Sequence, residues 1–269
     1  MRLSEQQLRD FDRDGFLIFP SLLTSAEVEI LRDEVTRLRE IDSDLVRRER
    51  NGAVRTIWRL HEDNGVTQSA AFRALSRAPR MLETAQQLLS DPKLYIYQSK
   101  INVKPAIEGT IWSWHQDYGP WQRDGVPRDH MLNTMVMLDD ADEMGGALYI
   151  LPGSHKCGPL EHVEDAAVGA LNQYSVRRDL LVEALNVGKA TPMVGAAGTV
   201  VMFHCNVVHG SGHNMSSRDR RQVYVVYNPV ANAPAASARI RGDHFSSGDQ
   251  SSVELGAEDG VLASGRQIA

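Results

Sequence analysis

His115 and Asp117, which are separated by one residue, end a short apolar segment in the middle of the chain. A second histidine, His209, follows another apolar segment. On an extended backbone residues two apart point to the same side, so His115 and Asp117 can aim at one point. Two histidines and one carboxylate form the ligand set of non-haem Fe(II) oxygenases, which leaves positions open for oxygen and a co-substrate. A lone His-x-Asp pair is more often part of a solvated loop, so the spacing leaves both interpretations open. His162 and His204 lack partners at such a spacing, and His204 is interpreted as structural.

Arg220 stands at the start of a predicted strand over residues 222–227. A guanidinium at this place can bind a dicarboxylate co-substrate through two parallel hydrogen bonds. The alternative is that the charged run 218–221 is only a solvated turn, and this interpretation is preferred for Arg218 and Arg221. Because strand alternation places Arg220 and Arg221 on opposite faces, at most one of them points inward.

Helical patterns dominate the first 90 residues. Apolar residues within the segment 4–41 recur at helical intervals and predict two helices, separated by a short strand over residues 15–20. Thr24 and Glu27 form a capping-box pattern at the start of the second helix. The other expectations for this part of the chain are a third helix over residues 79–89 and an irregular charged stretch over residues 42–66 with a short strand near residues 54–60.

Beyond residue 89 the pattern changes to short segments rich in Val, Ile, Tyr and Trp, separated by Gly, Pro, Asp and Asn. Such segments predict strands, and many short strands favour a β-sandwich or barrel. Helices followed by strands, without βαβ alternation, argue against a parallel nucleotide-binding sheet. The predicted strands cover residues 94–103, 110–115, 132–138, 147–151, 199–203 and 222–227.

Two segments break the strand pattern. Residues 161–189 include a predicted helix around residues 180–185 and are predicted to form a lid. Residues 239–269 are rich in Gly, Ser and Asp and predict a loosely ordered tail. The chain is therefore predicted to form one domain over residues 1–238, composed of a helical layer at residues 1–90 and a β core at residues 91–232.

Composition excludes several classes of protein. The chain has 29 basic and 35 acidic residues, a net charge of −6, 42% hydrophobic and 24% charged residues, all typical of a globular protein. The acidic balance disfavours nucleic-acid and anionic-membrane surfaces. Cys157 and Cys205 are too few for a disulfide framework. Without a signal-peptide pattern or an apolar stretch near the ~18 residues of a membrane span, we expect a cytoplasmic protein that binds neither nucleic acid nor membrane.

Four patches carry a resemblance: Asp14-Gly15-Phe16, the His-x-Asp segment, and residues 145–155 and 198–229. Together they are specific, and over about residues 3–232 the chain resembles the phytanoyl-CoA dioxygenase family of Fe(II)/2-oxoglutarate-dependent oxygenases. The stretch from Trp114 to Pro127 is similar to the signature of ectoine hydroxylases. It departs from that signature at Gln116, where a small hydroxyl residue is common, and such departures leave ectoine itself open as the substrate.

The resemblance implies a mainly β fold with N-terminal helices and a double-stranded β-helix core of the jelly-roll or cupin type. It also implies roles for particular residues. His115, Asp117 and His209 would bind Fe(II). Arg220 would pair with the distal carboxylate of 2-oxoglutarate, with Ser211 as a hydroxyl partner.

Three further positions match the family pattern. Gln98 and Asn102 match polar positions that line the co-substrate pocket, although amides on a strand face can equally bond to neighbouring loops. Trp121 matches an aromatic residue that stacks on substrate in ectoine hydroxylases. The alternative for Trp121 is a rim residue that closes the mouth of the barrel.

The activity implied by the resemblance is hydroxylation of an unactivated C–H bond of a small molecule. The reaction consumes O2 and 2-oxoglutarate, releases succinate and CO2, and takes ascorbate as reductant in vitro. A carboxylate at Asp117 favours hydroxylation, because halogenating relatives have a small residue there. The substrate is either a specialised secondary metabolite or an amino-acid-like compound such as ectoine. Alternative reactions at the same iron are desaturation, epoxidation and cyclisation. An alternative of another class is a non-catalytic cupin-like binding or sensing protein. A homodimer is also an open possibility.

Overall fold

The helices and strands are described from a computed structural model, which covers residues 1–165, 173–235 and 246–256. The helices are α1 (Glu5–Asp14), α2 (Ser25–Leu38), α3 (Ala70–Arg77), α4 (Pro79–Leu89), α5 (Tyr118–Arg123) and α6 (Arg178–Val187). The strands are β1 (Phe16–Phe19), β2 (Val46–Arg48), β3 (Val54–Trp58), β4 (Leu94–Lys104), β5 (Trp112–His115), β6 (Leu132–Met137), β7 (Leu148–Ile150), β8 (His162–Asp165), β9 (Gln173–Val176), β10 (Thr191–Met193), β11 (Val200–His204), β12 (His209–Ser211) and β13 (Arg220–Pro229).

The N-terminal helices begin where the sequence predicts. At α1 the Ser4 side chain accepts the Gln7 N–H and Gln7 reaches back to the Ser4 backbone, and Thr24 and Glu27 repeat this reciprocal cap at α2. Each cap satisfies N–H groups that have no partner inside the helix. The predicted pair of helices with a strand between them is confirmed. The buried face of α2 consists of Val28, Leu31, Val35 and Leu38.

The strands form three sheets, and every pairing within them is antiparallel. The large sheet has the order β1-β11-β6-β13-β4-β3-β2, the small sheet has the order β10-β7-β12-β5, and β8 pairs with β9. One face of the large sheet packs on α2, α3 and α4. Its other face packs on the small sheet through a second apolar cluster that includes Met135, Phe203 and Ile150. The expectation of a mainly β protein with N-terminal helices is confirmed.

All six strands predicted beyond residue 89 are present within a few residues, as are the helix at residues 79–89 and the strand near residues 54–60. The sequence did not predict α3, α5, the strands β8 and β9 in the segment 161–189, or the three-residue strands β2, β10 and β12. These elements are short, and short helices and strands are stabilised mainly by tertiary packing rather than by local propensity. The predicted helix near residues 180–185 is present as α6, in the segment expected to act as a lid.

Alternation along β4 and β13 places a row of polar side chains in the interior between the sheets. The register pairs Arg220 with Lys104, Gln222 with Asn102, Tyr224 with Lys100, and Val226 with Gln98. Directly paired residues project to the same side of a sheet. Tyr224 belongs to the apolar cluster between the sheets, so its side of β13 faces the small sheet. The candidate site lies next to this interior row of side chains.

The described part of the predicted tail, residues 246–256, lies along the edge of β4. Ser247 N–H donates to Tyr97 O at 2.7 Å, and Val253 N–H donates to Leu94 O at 2.7 Å. Residues 239–245 and 257–269 of that tail, like residues 166–172 of the predicted lid, lie outside the described residues. The proposed boundary at residue 238 stays a prediction.

No helix in the described ranges has the length and apolar character needed to cross a bilayer. Cys157 and Cys205 are both free thiols, the first exposed and the second buried.

Candidate active site

The small sheet brings His115, Asp117 and His209 together. His115 ends β5, His209 begins β12, and the two residues are direct partners in the antiparallel pairing of these strands. The His115 Nε2 atom lies 3.6 Å from Asp117 Oδ1, and the His209 Nε2 atom lies 3.5 Å from Asp117 Oδ2. One ligand atom of each residue lies within 4.8 Å of those of the other two. The three residues that the sequence singles out therefore converge on one point.

The backbone orients both histidine rings. His115 Nδ1 lies 2.6 Å from Ser113 O, and His209 Nδ1 lies 2.9 Å from Val207 O. A carbonyl can only accept, so each Nδ1 donates its proton to the backbone and each Nε2 is left as the atom that can bind a metal. This is the tautomer that a metal ligand needs.

The electrostatics also suit a cation. Burial, together with the nearby His115, lowers the pKa of His209 to about 4, so the His209 imidazole is neutral at neutral pH. Burial raises the pKa of Asp117, but His209, His115 and Lys100 outweigh burial and hold it well below its ordinary range. Two imidazole nitrogens and one carboxylate are a donor set that fits Fe(II). The donor set thus fits the metal that the resemblance implies.

Arg220 lies in the interior with its charge uncompensated by the described residues. Its side chain is 3% exposed, Nη1 donates to Gln222 Oε1 at 2.6 Å, and Nε is buried without a hydrogen-bond partner. No carboxylate of the described residues lies within ion-pair distance of it, and burial lowers its pKa. A buried cation of this kind is stabilised by an anion with two acceptor oxygens. Both the chemistry of the Arg220 guanidinium and its buried position therefore suit a carboxylate such as that of 2-oxoglutarate.

Arg221, unlike Arg220, is paired with a carboxylate. It faces Asp139, which accepts from Arg221 Nε at 2.9 Å and from Nη2 at 2.6 Å. Arg218 is exposed and lies 3.4 Å from Asp142. The prediction that Arg220 and Arg221 lie on opposite faces is confirmed, and only Arg220 points inward.

Lys104 is a site residue that sequence reasoning missed. It pairs with Arg220 across β4 and β13, is 1% exposed, and donates from Nζ to Gly212 O. Burial lowers the pKa of Lys104 to about 6, and the charges of Arg220 and Arg55 add to this effect. Lys104 shares the alternation of Gln98 and Asn102, which was the available signal. When Lys104 is protonated, it places a second buried positive charge beside Arg220, and an anion bound there would favour this protonated form.

The remaining predicted residues lie around these groups. Ser211 is 7% exposed and lies two residues beyond His209 on β12. Gln98 and Asn102 are buried on the inner face of β4, where Asn102 Oδ1 accepts from Thr56 Oγ1 at 3.5 Å. Their placement agrees with a pocket-lining role, which stays a prediction.

Trp121 lies in α5 and is 2% exposed. Its ring meets Tyr97 edge-on, with the ring centroids 5.4 Å apart, inside an apolar cluster that also contains Tyr95 and Tyr118. The packing supplies a structural reason for the tryptophan. Its contact with substrate stays a prediction.

Gln116 lies between His115, the last residue of β5, and Asp117, which directly precedes α5, and its buried side chain binds three backbone groups of other segments. Its side chain donates to Gly158 O at 2.9 Å and to Asn206 O at 2.7 Å, and it accepts from Leu160 N–H at 2.7 Å. Its backbone N–H donates to His162 Nε2 at 3.0 Å, at the start of β8. The departure from the ectoine hydroxylase signature thus has a local role, and His162 joins the predicted lid to the ligand-bearing segment. The sequence carried no signal for this long-range contact.

The chain is similar to known proteins over most of its length. Residues 11–222 match the family model described as phytanoyl-CoA dioxygenase. The chain is 34% identical over 261 residues to ectoine dioxygenase from Bordetella bronchiseptica, covering 90% of this chain and 82% of that protein. It is 33% identical over 244 residues to L-proline trans-4-hydroxylase from Streptomyces griseoviridis, covering 85% of this chain and 88% of that protein.

A solved structure has the same fold. The structure of EctD from S. alaskensis with bound Fe superposes with a TM-score of 0.80 at 26% identity, covering 94% of this chain and 87% of that one. The structure of the same protein with 2-oxoglutarate and 5-hydroxyectoine gives a TM-score of 0.77 at 27% identity, covering 95% and 86%.

Proposed function

This chain belongs to the phytanoyl-CoA dioxygenase family and is an Fe(II)/2-oxoglutarate-dependent dioxygenase, and we propose that it hydroxylates a small amino-acid-like metabolite. The observation that carries the proposal is the convergence of His115, Asp117 and His209 in the same interior that holds the buried Arg220. A metal ligand set and a dicarboxylate anchor are both required by this chemistry. A protein that binds a ligand without turnover has no need for a metal ligand set and a dicarboxylate anchor together.

His115, Asp117 and His209 are the residues that hold Fe(II) in this proposal. Their ligand atoms already converge, both Nδ1 atoms are engaged by backbone carbonyls so that Nε2 is the atom offered to a metal, and the lowered pKa keeps Asp117 ionised. When bound, Fe(II) with 2-oxoglutarate and O2 supplies the oxidising power for C–H hydroxylation, with release of succinate and CO2. Three protein ligands leave coordination positions for the co-substrate and O2.

Arg220, Lys104 and Ser211 bind the distal carboxylate of 2-oxoglutarate. The guanidinium offers a planar pair of donors, and the Lys104 ammonium adds a second positive charge from the facing strand. Because both cations are buried, the carboxylate is held away from water, where the ion pair is stronger than at a surface. This fixes the direction of the co-substrate, with its other end toward the metal ligands.

The core corresponds to a double-stranded β-helix in this proposal. It is supported by two antiparallel sheets that face each other across an apolar cluster, with the candidate site between them. The described residues of the predicted lid, 161–165 and 173–189, cover the site in this proposal, which is supported by the contact between His162 and Gln116. A homodimer and a cytoplasmic location stay predictions.

The proposed substrate class is inferred from the compounds named for two relatives of this chain. One is named an ectoine dioxygenase and another an L-proline trans-4-hydroxylase, so small amino-acid-like compounds are the first to test. Hydroxylation is favoured over halogenation because Asp117 supplies the carboxylate ligand. Desaturation and cyclisation at the same site remove two hydrogen atoms and are separated from hydroxylation by the mass of the product. Epoxidation, like hydroxylation, adds one oxygen atom and is separated from it by the NMR spectrum of the product. A secondary metabolite stays the alternative substrate.

The test is succinate formation from 2-oxoglutarate by the purified protein with Fe(II), ascorbate and O2, in the presence of ectoine or L-proline. We expect succinate formation to rise with at least one such compound and its product to gain one oxygen atom. Asp12→Ala, at an exposed residue outside the site, serves as the control and keeps the activity. Absence of succinate with every compound, together with absence of iron binding, would establish a non-catalytic protein.

A further inference from the structure

His162 is a buried histidine at the start of β8, outside the proposed ligand set, and both of its ring nitrogens are engaged. Its Nδ1 lies 2.8 Å from Leu160 O, and its Nε2 accepts from the backbone N–H of Gln116 at 3.0 Å. A carbonyl can only accept and an N–H can only donate, so the ring is the neutral tautomer that carries its proton on Nδ1. The ring is therefore held in one orientation, with its acceptor atom against the segment between two proposed metal ligands.

The N–H group that His162 accepts belongs to the peptide that joins His115 to Gln116. The chain changes from strand to helix at this point, because β5 ends at His115 and α5 begins at Tyr118. A buried backbone N–H needs a partner, and at this change of structure the partner is the His162 ring. The orientation of this peptide fixes the direction of the His115 side chain and, one residue further, that of Asp117.

Gly119 makes room for the His162 ring. A Cβ atom on Gly119 would lie 2.7 Å from His162 Nδ1 and 2.8 Å from its Cε1. Gly119 lies in the first turn of α5 and has no positive φ, and alanine is normally the better helix former at such a position. The close approach of the His162 ring is thus the structural reason for glycine at position 119.

The antiparallel pair of strands β8 and β9 is attached to α5 at two further points. Arg123 Nη2 donates to His162 O at 3.4 Å, and Arg123 Cζ lies 4.5 Å from the ring centroid of Tyr174 on β9. The register of the pair places Tyr174 opposite Glu164. The strand pair is therefore anchored on α5 while the His162 ring reaches the segment between the proposed ligands.

The affinity of a site for a metal depends on how well its ligand atoms are held in place before the metal binds. The ligand atoms of His115, Asp117 and His209 already lie within 4.8 Å of one another. Groups outside a ligand set that orient the ligands typically change metal affinity by about 10- to 100-fold. Without an acceptor at position 162, the buried N–H of Gln116 loses its partner and the peptide is free to turn.

We propose that His162 is a positioning residue of the metal site. Through the N–H of Gln116 it holds His115 and Asp117 in the geometry that binds Fe(II), and it thereby couples docking of β8 and β9 to metal affinity. This inference rests on the proposed function and adds a residue outside the ligand set. The competing assignment is that His162 only stabilises the fold. The two assignments differ in whether metal affinity follows the acceptor that position 162 offers to Gln116.

The test compares two amides at position 162. His162→Gln places its side-chain oxygen close to the position of Nε2 and keeps an acceptor for the Gln116 N–H, whereas the shorter His162→Asn does not reach it. Val163→Thr, at an exposed residue of the same strand, is the control. Anaerobic titration with Co(II) measures the Kd of the metal, and the ligand-field absorption of bound Co(II) reports its coordination. Urea denaturation of the metal-free proteins measures stability separately.

We expect His162→Asn to raise the Kd for Co(II) by about 10-fold or more and to change the absorption of bound Co(II). His162→Gln and Val163→Thr should stay within about 2-fold of wild type. Gly119→Ala disturbs the same contact from the other side, because its Cβ displaces the His162 ring, so it should also raise the Kd. This variant keeps the histidine and favours the helix.

The proposal is wrong if His162→Asn binds Co(II) as tightly as wild type, even when its free energy of unfolding falls. It is also wrong if His162→Gln and His162→Asn weaken binding equally, because the acceptor is then not the cause. If neither variant at position 162 folds, Gly119→Ala decides, and an unchanged Kd in that variant overturns the proposal. Failure of the proposed function is recognised separately, because wild type itself then binds no Co(II), and both proposals are wrong.

Discussion

Arg220 and Lys104 are direct cross-strand partners on the inner face of the large sheet, 3% and 1% exposed. Like charges side by side destabilise a sheet, and in a buried position the repulsion is poorly screened. The pair is therefore costly unless an anion binds to it. This relationship explains why burial and Arg220 together lower the pKa of Lys104 to about 6, and it leads to the first two predictions.

The affinity for 2-oxoglutarate depends on pH through Lys104. A dicarboxylate favours the charged ammonium, whereas free Lys104 loses its proton as the pH rises through about 6. Above pH 6 binding must therefore take up a proton, and the dissociation constant rises by up to tenfold per pH unit, while below pH 6 this group adds no dependence. Calorimetry in two buffers of different ionisation enthalpy measures the uptake. In Lys104→Met the uptake disappears, and its persistence there contradicts the assignment.

Removal of the guanidinium of Arg220 raises the requirement for 2-oxoglutarate. Arg220→Ala loses a charge-assisted pair, so we expect the KM for 2-oxoglutarate to rise by about 10- to 100-fold. Arg221→Ala is the matched control, since Arg221 pairs with Asp139 on the opposite face. That variant should leave the KM unchanged and lower stability by about 1 kcal/mol or less. Equal effects of both variants would show that general destabilisation is the cause.

Metal binding stabilises the fold through Asp117. At a metal concentration of about 100 times Kd, binding adds about 2.7 kcal/mol, which raises the Tm by about 5 to 10 °C for a domain of this size. Anaerobic differential scanning fluorimetry with and without Fe(II) measures the shift, and a chelator reverses it. Asp117→Ala should remove the shift together with hydroxylation. A full shift in this variant excludes Asp117 as a ligand.

Gln116 stabilises the segment that carries His115 and Asp117. Gln116→Ala leaves Gly158 O, Asn206 O and Leu160 N–H without their buried partner, at about 1 kcal/mol or more each, so we expect a loss of about 2 to 4 kcal/mol. Urea denaturation measures it. Gln122→Ala, at an exposed glutamine in α5, is the control. An unchanged unfolding midpoint for Gln116→Ala would show that Gln116 does not stabilise this segment.

Local signals in the sequence predicted much of the fold. The capping box at Thr24 and Glu27, the apolar spacing of α2, and the β-branched and aromatic segments beyond residue 89 depend on neighbours in the chain, and the structure agrees with each. Short elements such as α5 and β12 carried too few residues to produce a pattern. They form because the surrounding sheets hold them in place.

For the site, residue spacing and family resemblance together identified His115, Asp117, His209 and Arg220, because His-x-Asp and strand alternation are local features. Tertiary structure alone revealed the pairing of Lys104 with Arg220 and the contact between Gln116 and His162. These depend on the register of β4 against β13 and on a contact between distant segments. Strand register is set by long-range packing, and a shift of one residue would turn every one of these side chains to the opposite face.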